Sequence, residues 1–119
     1  MTTGELERIG EAEEIEIAPP RRDGTPRNAV PIWVVHAAGD LYVRSWRGAR
    51  GSWFRAAQDS RAARVCAGGL ETDVALEDAD DAVNDAIDDA YRLKYGRYPS
   101  YVEPMVAPKA RATTLRLVP

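Results

Sequence analysis

The chain has 119 residues, with 16 Lys and Arg against 19 Asp and Glu, a net charge of −3, and 45% hydrophobic residues. This composition excludes a disordered chain and gives no global attraction to nucleic acid or an anionic membrane; the length suits one domain over residues 1–119. A single cysteine, Cys66, and a single histidine, His36, exclude an intrachain disulfide, a cysteine cluster and a histidine-based metal site, so no metal is expected. No apolar run reaches the length of a membrane span, and MTTGELERIG lacks the basic-then-apolar order of a secretory signal, so a cytoplasmic location is expected.

In chain order, Thr2 and Thr3 suit the cap of a short helix in which Leu6 and Ile9 share a face. EIEIA, residues 14–18, alternates polar and apolar and predicts a strand. Pro19-Pro20 ends it, and RRDGTPR forms a turn on Asp23-Gly24 with Pro26 as its stiff exit. Arg21, Arg22 and Arg27 read either as a solvated loop or as a basic lip over a ligand. The run Val30–Val35 predicts a second strand. Gly39-Asp40 turns the chain into a third, Leu41–Trp46, in which Leu41, Val43 and Ser45 alternate with Tyr42, Arg44 and Trp46. Ser52 is placed to cap a short helix over Trp53–Gln58. Ala62–Ala67, Gly68-Gly69 and Leu70–Leu76 make a second hairpin. Asp78–Tyr95 is a long acidic helix whose Ala79, Ala82, Val83, Ala86, Ile87, Ala90 and Tyr91 form one apolar stripe, with Gly96 in the C′ position. A proline-bounded segment with Tyr98 and Tyr101 follows, and Ala112–Val118 closes the chain as a strand. Mostly antiparallel strands with helices at the ends imply a small barrel or an α+β sheet.

The chemistry-bearing stretch is the loop after the third strand. Arg44, Arg47, Arg50 and Arg55 supply fixed positive charge, Gly48 and Gly51 let the backbone come close, and Trp53-Phe54 supply aromatic surface. A helix start behind glycines also favours negative charge. The pattern suits an anionic, ring-bearing ligand, with Arg44 and Arg47 as phosphate clamps and Trp46 and Trp53 as stacking surfaces. The same residues also serve bland ends: arginines pair with the acidic helix, and tryptophans fill a core or a dimer interface. His36 reads as a structural strand residue with a proton-donor role as its alternative, and Cys66 as a small buried hydrophobe. Tyr91, Tyr95, Tyr98 and Tyr101 read as packing residues, with a pocket hydroxyl on Tyr98 or Tyr101 as the alternative. A short arginine cluster beside an acidic helix does not suit a nucleic-acid backbone.

The order DGTPRNAVPIWVV, GDLYVRSWRG, SWFR, VCAGGLETDVALE, an Asp-rich helix and ATTLRLVP resembles a bacterial domain-of-unknown-function family. That family is similar to deazaflavin-dependent nitroreductases and, more distantly, to pyridoxamine-phosphate-oxidase-like flavin proteins. The resemblance implies a mainly β (β+α) fold: a split β-barrel of about six antiparallel strands with a short N-terminal helix, a short helix after strand 3 and one long acidic helix before the last strand. It further implies a homodimer that holds FMN or a deazaflavin, its phosphate against the loop after the third strand. Arg47, Gly48, Ser52, Trp53 and Phe54 follow the order of the nitroreductase branch, although Phe54 stands where a tyrosine is usual and the upstream glycine-flanked basic turn survives only as Arg21-Arg22-Asp23-Gly24-Thr25. With Arg44, Ser45 and Arg55 these form the expected cofactor-binding set. The implied function is a nitroreductase-like oxidoreductase acting on a small organic acceptor. The alternatives are a cofactor-free enzyme or small-anion-binding dimeric module for a phosphate- or carboxylate-bearing ligand, and a purely structural dimer.

Overall fold

The computed structural model describes residues 3–25 and 27–119, apart from the side chains of Thr3 and Leu6. The expected cap by Thr2 and Thr3, the helix face of Leu6 and the exit at Pro26 therefore lie outside the described residues. The elements run α1 (Thr3–Glu11), β1 (Ile15–Ala18), β2 (Val30–Ile32), β3 (Val35–Ala37), β4 (Asp40–Val43), α2 (Ser52–Ser60), β5 (Ala62–Ala67), β6 (Leu70–Asp78), α3 (Asn84–Tyr95), α4 (Pro99–Val106), α5 (Pro108–Arg111) and β7 (Leu115–Val118). Short 3-10 turns over Gly48–Arg50 and Asp81–Val83 precede α2 and α3.

Seven strands make one antiparallel sheet in the order β2-β1-β5-β6-β7-β4-β3, curled into a split barrel. The count exceeds the expected six because the run read as one strand, Val30–Val35, is two. Its first half pairs with β1 and its second half, reaching Ala37, pairs with β4. Trp33-Val34 is thus a corner, and the two ends of the sheet are joined by the backbone itself. The β3–β4 turn falls on Ala38-Gly39 (φ 51° and 82°), one residue before the expected Gly39-Asp40, since Ala37 pairs with Asp40. Two consecutive left-handed residues match the twist of a two-residue hairpin. Gly68-Gly69 (φ 53° and 83°) repeats that geometry where it was expected.

Two apolar clusters follow. Inside the barrel Ile15, Ile17, Leu41, Val43, Val65 and Leu117 meet Phe54 and Ala57 of α2. Outside it, Ile87, Tyr91 and Tyr95 of α3 and Val102 and Met105 of α4 cover Val35 and Tyr42. The strand β4 is therefore buried on both faces, which its mixture of apolar and polar side chains conceals. The helix α3 begins at Asn84, six residues later than expected, because Asp78 ends β6 and Asp80 caps the 3-10 turn through the Ala82 amide at 3.1 Å. Its buried face is Asn84, Ile87, Asp88, Tyr91 and Tyr95, whereas Ala82 and Ala86 of the expected stripe are exposed. Gly96 follows it in a right-handed conformation (φ −59°) rather than as a left-handed C′ residue. The proline-bounded segment is helical: Pro99 and Pro108 open α4 and α5 at a position where a missing N–H costs nothing. β7 is shorter than Ala112–Val118 because Thr113 and Thr114 are spent on a polar turn.

The corner is held by the last turn of α3. The Tyr95 hydroxyl accepts from the Val34 amide at 3.2 Å and lies 2.9 Å from the Glu13 carbonyl, while its ring stacks on Trp33 at 3.9 Å and 2°. Lys94 donates to the Val34 and Gly10 carbonyls at 2.6 and 2.8 Å, and the single Tyr95 hydroxyl proton has the Glu13 and Val34 carbonyls within reach at 2.9 and 3.1 Å. Tyr95→Phe is expected to lower the unfolding free energy by about 1–3 kcal/mol in urea melts, because a buried amide loses its acceptor. Tyr101→Phe, at an exposed ring, is expected to leave it within about 0.5 kcal/mol. Equal stability of the two variants would remove the corner from the account.

Burial lowers the Lys94 ammonium from its ordinary 10.5 to about 8, against a smaller opposing effect of the Glu13 carboxylate. Between those values the unfolded chain holds more protons, so the contribution of Lys94 to stability rises with pH over that window. The neutral amine keeps two N–H groups for its two carbonyls. The stability of the parent relative to Lys94→Met is accordingly expected to grow between pH 8 and 10.5 in parallel denaturant melts, and a difference that shrinks there would reverse the assignment.

Candidate functional site

Arg44, expected to clamp phosphate, points inward. Its guanidinium is fully buried and gives Nε to Thr114 Oγ1 at 2.9 Å, Nη1 to Asp88 Oδ1 at 2.6 Å and the Met105 carbonyl at 2.9 Å, and Nη2 to the Asn84 carbonyl and Oδ1 at 3.2 and 3.0 Å. A guanidinium has five N–H groups, and all five are directed at protein acceptors. Asp88 offers its second oxygen to Arg111 at 2.9 Å, and the Tyr91 ring lies 5.4 Å below the Arg44 cation. The pairing with the acidic helix weighed from sequence is thus real but buried. It ties β4 to α3, α4 and the turn before β7.

Ser45 is equally committed. Its amide donates to Thr113 Oγ1 at 2.9 Å and its hydroxyl to the Gly48 carbonyl at 2.8 Å, which folds the loop back on itself. The two glycines serve that fold. Gly48 sits at φ +68° with Lys109 where a Cβ would be, 2.5 Å away, and a Cβ on Gly51 would meet Ser45 Oγ at 2.4 Å. Phe54 fills the barrel, edge-on to Trp53 at 6.1 Å. Gly51, not Ser52, precedes α2, and no side chain caps that helix. Ser52 and Arg55 are exposed on its first turn, and Arg47 is exposed with its guanidinium 5.2 Å from the Trp46 ring.

Two hollows meet at Trp53. One, of about 240 Å³, is walled by Pro19, Arg21, Arg27, Asn28, Val30, Ser52 and Trp53. The other is an open groove of about 780 Å³ with Trp33, Trp46, Trp53, Tyr98 and Tyr101 on its walls, Glu13 and Glu14 at its rim and Arg44 and Met105 in its floor. Trp53 belongs to both, and β2 runs along both, Val30 in the first and Pro31-Ile32 in the second. The structure therefore brings Ser52 and Trp53 together with arginines that the sequence offered only as a loop or a lip. What aims that loop is its own turn: the Arg21 amide bonds the Thr25 carbonyl at 2.8 Å, and Asp23 accepts from the Thr25 amide and hydroxyl at 3.0 and 2.7 Å, bonds that hold its carboxyl below the ordinary range.

Trp33, Glu13 and Glu14 carried no signal in the sequence beyond their types. Tyr98 and Tyr101, weighed mainly as packing residues, stand on the groove, whereas Tyr91 and Tyr95 are core. His36 is exposed on β3 and does not line the groove. Cys66 is half-buried, and burial together with the carboxylates of Glu71 and Glu16 pushes its thiol up, away from the reactive thiolate. Among the described residues no helix is long and apolar enough to cross a membrane.

Residues 5–117 match the model of a family described as an uncharacterized protein conserved in bacteria, DUF2255. The chain belongs to the DUF2255 family. No curated protein matches the DUF2255 chain in sequence. Among solved structures it is similar to HutZ, the heme storage protein from Vibrio cholerae, at 12% identity and a TM-score of 0.65, covering 98% of this chain and 89% of that one. An FAD-binding protein from Mesorhizobium loti shares 16% identity at a TM-score of 0.58, covering 98% and 87%. An F420 reductase shares 15% at 0.53, covering 98% and 92%. At these identities the likeness shows the fold, the split barrel common to the DUF2255 chain and these proteins.

Because Arg44 neutralises Asp88 in the interior, Arg44→Met is expected to destabilise the protein by about 3–5 kcal/mol, read as a shifted urea midpoint. Arg64→Ala, which breaks an exposed pair with Asp73, is expected to cost at most about 1 kcal/mol. A small effect at Arg44 would show the buried pair to be dispensable.

Proposed function

We propose that this protein binds a flavin-type cofactor, FMN or a deazaflavin, and serves as an oxidoreductase toward a small organic acceptor. The observation that carries the reading is the shared wall at Trp53: an aromatic groove large enough for a ring system opens beside a smaller hollow bearing two arginines. A heterocycle with an anionic tail has the same two parts. Pockets for such ligands span a few hundred to about 1,000 Å³ and combine apolar walls with a few convergent polar groups.

In this reading Arg27, Arg21 and Ser52 hold the phosphate, since guanidinium groups give paired charge-assisted bonds to phosphate oxygens. The start of α2, which no side chain caps, adds favourable backbone charge. Trp33, Trp46 and Trp53 flank the ring, and Arg47, lying over Trp46, closes one side. Arg44 and Ser45 serve from behind: they fix the groove floor and the loop. The cofactor, when bound, supplies the hydride or electron transfer. The chain's own part is to bind it, orient it and shield it from water. The exposed Trp46 and Tyr101, 59% and 69% accessible, form a rim that a second copy of the chain would cover, giving a homodimer with the site at the subunit boundary.

The basic hollow by itself also suits a small phosphate or carboxylate, so a cofactor-free anion-binding module is the second reading. A fluorescence titration separates the two. FMN or a deazaflavin is expected to be quenched with a Kd in the micromolar range, and Arg21→Ala/Arg27→Ala is expected to weaken it by about 10-fold or more. No flavin binding up to about 100 μM, a level that corresponds to weak association, together with thermal stabilisation by inorganic phosphate, would decide for the second.

A further inference from the structure

We propose that the end of the groove remote from the arginine hollow is a binding site for the cationic group of an organic molecule, so that the acceptor is an amine or other organic cation. The inference deepens the reading of the groove as a ring site and rests on it. Val30, in the arginine hollow, and Trp33, in the groove, are three residues apart along nearly extended chain, about 10 Å. The groove therefore has a basic neighbour at one end and a different surrounding at the other. At that other end Trp33 and Tyr98 lie with their rings 6.1 Å apart and tilted by 31°. Glu13 and Glu14 share the same lining. The strand pairing sets them there: Ile15 faces Ile32 across the β1–β2 ladder, and the Tyr95 hydroxyl, behind Trp33, lies 2.9 Å from the Glu13 carbonyl.

Aromatic faces next to carboxylates are the usual means of binding an organic cation, since ring quadrupole and carboxylate attract the same sign. This end already behaves so toward the protein's own cations. Arg97 lies over the Tyr98 ring at 4.8 Å and Lys94 over Tyr95 at 5.0 Å. Arg97 pairs with Glu13, and Lys94 is turned to the carbonyls of Gly10 and Val34, whereas among the described residues Glu14 makes no ion pair. Arg44 in the floor is matched by Asp88. The Glu14 carboxylate is thus an acid on the aromatic wall that, among the described residues, no ion pair engages. With about 780 Å³ available, the groove has room for a planar cofactor and a second small molecule.

The test uses the full chain without added flavin and three water-soluble aryl probes of similar size: phenyltrimethylammonium, benzyl alcohol and benzenesulfonate, each titrated by ligand-observed NMR. The cation is expected to bind about fivefold or more tightly than the neutral alcohol, and the sulfonate more weakly than either. Glu14→Gln is expected to remove most of the cation's margin while leaving the alcohol's affinity and the melting temperature unchanged. Equal binding of the three probes, or a margin that survives in Glu14→Gln, overturns the proposal. Flavin is absent from the assay, so a cation margin found in a protein that fails to bind FMN supports this site and counts only against the cofactor reading, whereas FMN binding without a margin overturns this site alone.

Discussion

A charge in the interior organises this protein. Burying a guanidinium is tolerable only when every donor finds an acceptor, and Arg44 finds its five on α3, α4 and the turn before β7. Those segments therefore have little freedom in how they sit on β4. Asn84, at the start of α3, and Asp88, one turn on, occupy its buried face for the same reason, where an ordinary amphipathic helix would place Leu or Ala. Since the Met105 carbonyl is one of the acceptors, the helix that carries Tyr101 and Pro104 onto the groove is registered by the same cation. Structure and candidate site are thus coupled through one side chain that itself has nothing left to offer a ligand.

The second constraint is geometric. A seven-stranded antiparallel sheet of this curvature needs a place where the chain passes from one side of the split to the other, and here it is Trp33-Val34. Leaving the ladder exposes backbone groups, and α3 supplies substitutes: a phenol for the Val34 amide and an ammonium for its carbonyl. Trp33 is carried by that corner, stacked on Tyr95, so the aromatic wall of the groove is set by the same contacts that hold the barrel in shape.

Much of this was legible in the sequence, for reasons that can be stated residue by residue. The β5–β6 hairpin declared itself because Gly68-Gly69 permits the left-handed turn its register demands, and residues 62–67 form a strand over the span that was read. The element order and the resemblance led to the split barrel and to the family. What failed depended on partners remote in sequence. An arginine in an alternating strand looks solvent-facing, and nothing local announces that Asp88, 44 residues away, will meet it. The proline-bounded segment was given no element of its own, yet Pro99 and Pro108 stand at helix starts, where they fit. Arg21 and Arg27 were weighed as a solvated loop or a basic lip, and both are exposed; the wall they share with Ser52 and Trp53 exists only after folding. The glycines of the arginine loop were read as room for a ligand, while Gly48 and Gly51 make room for Lys109 and Ser45.

The outer strands of the sheet bear on how copies of the chain can associate. β2 and β3 are three residues long, and Pro31 removes the central donor of β2. Such margins give an incoming chain almost no backbone ladder to extend. Self-association by strand addition, the common route to runaway polymers, is thereby closed off, and any pairing of subunits is left to side-chain faces, where aromatic rings and charges decide the fit.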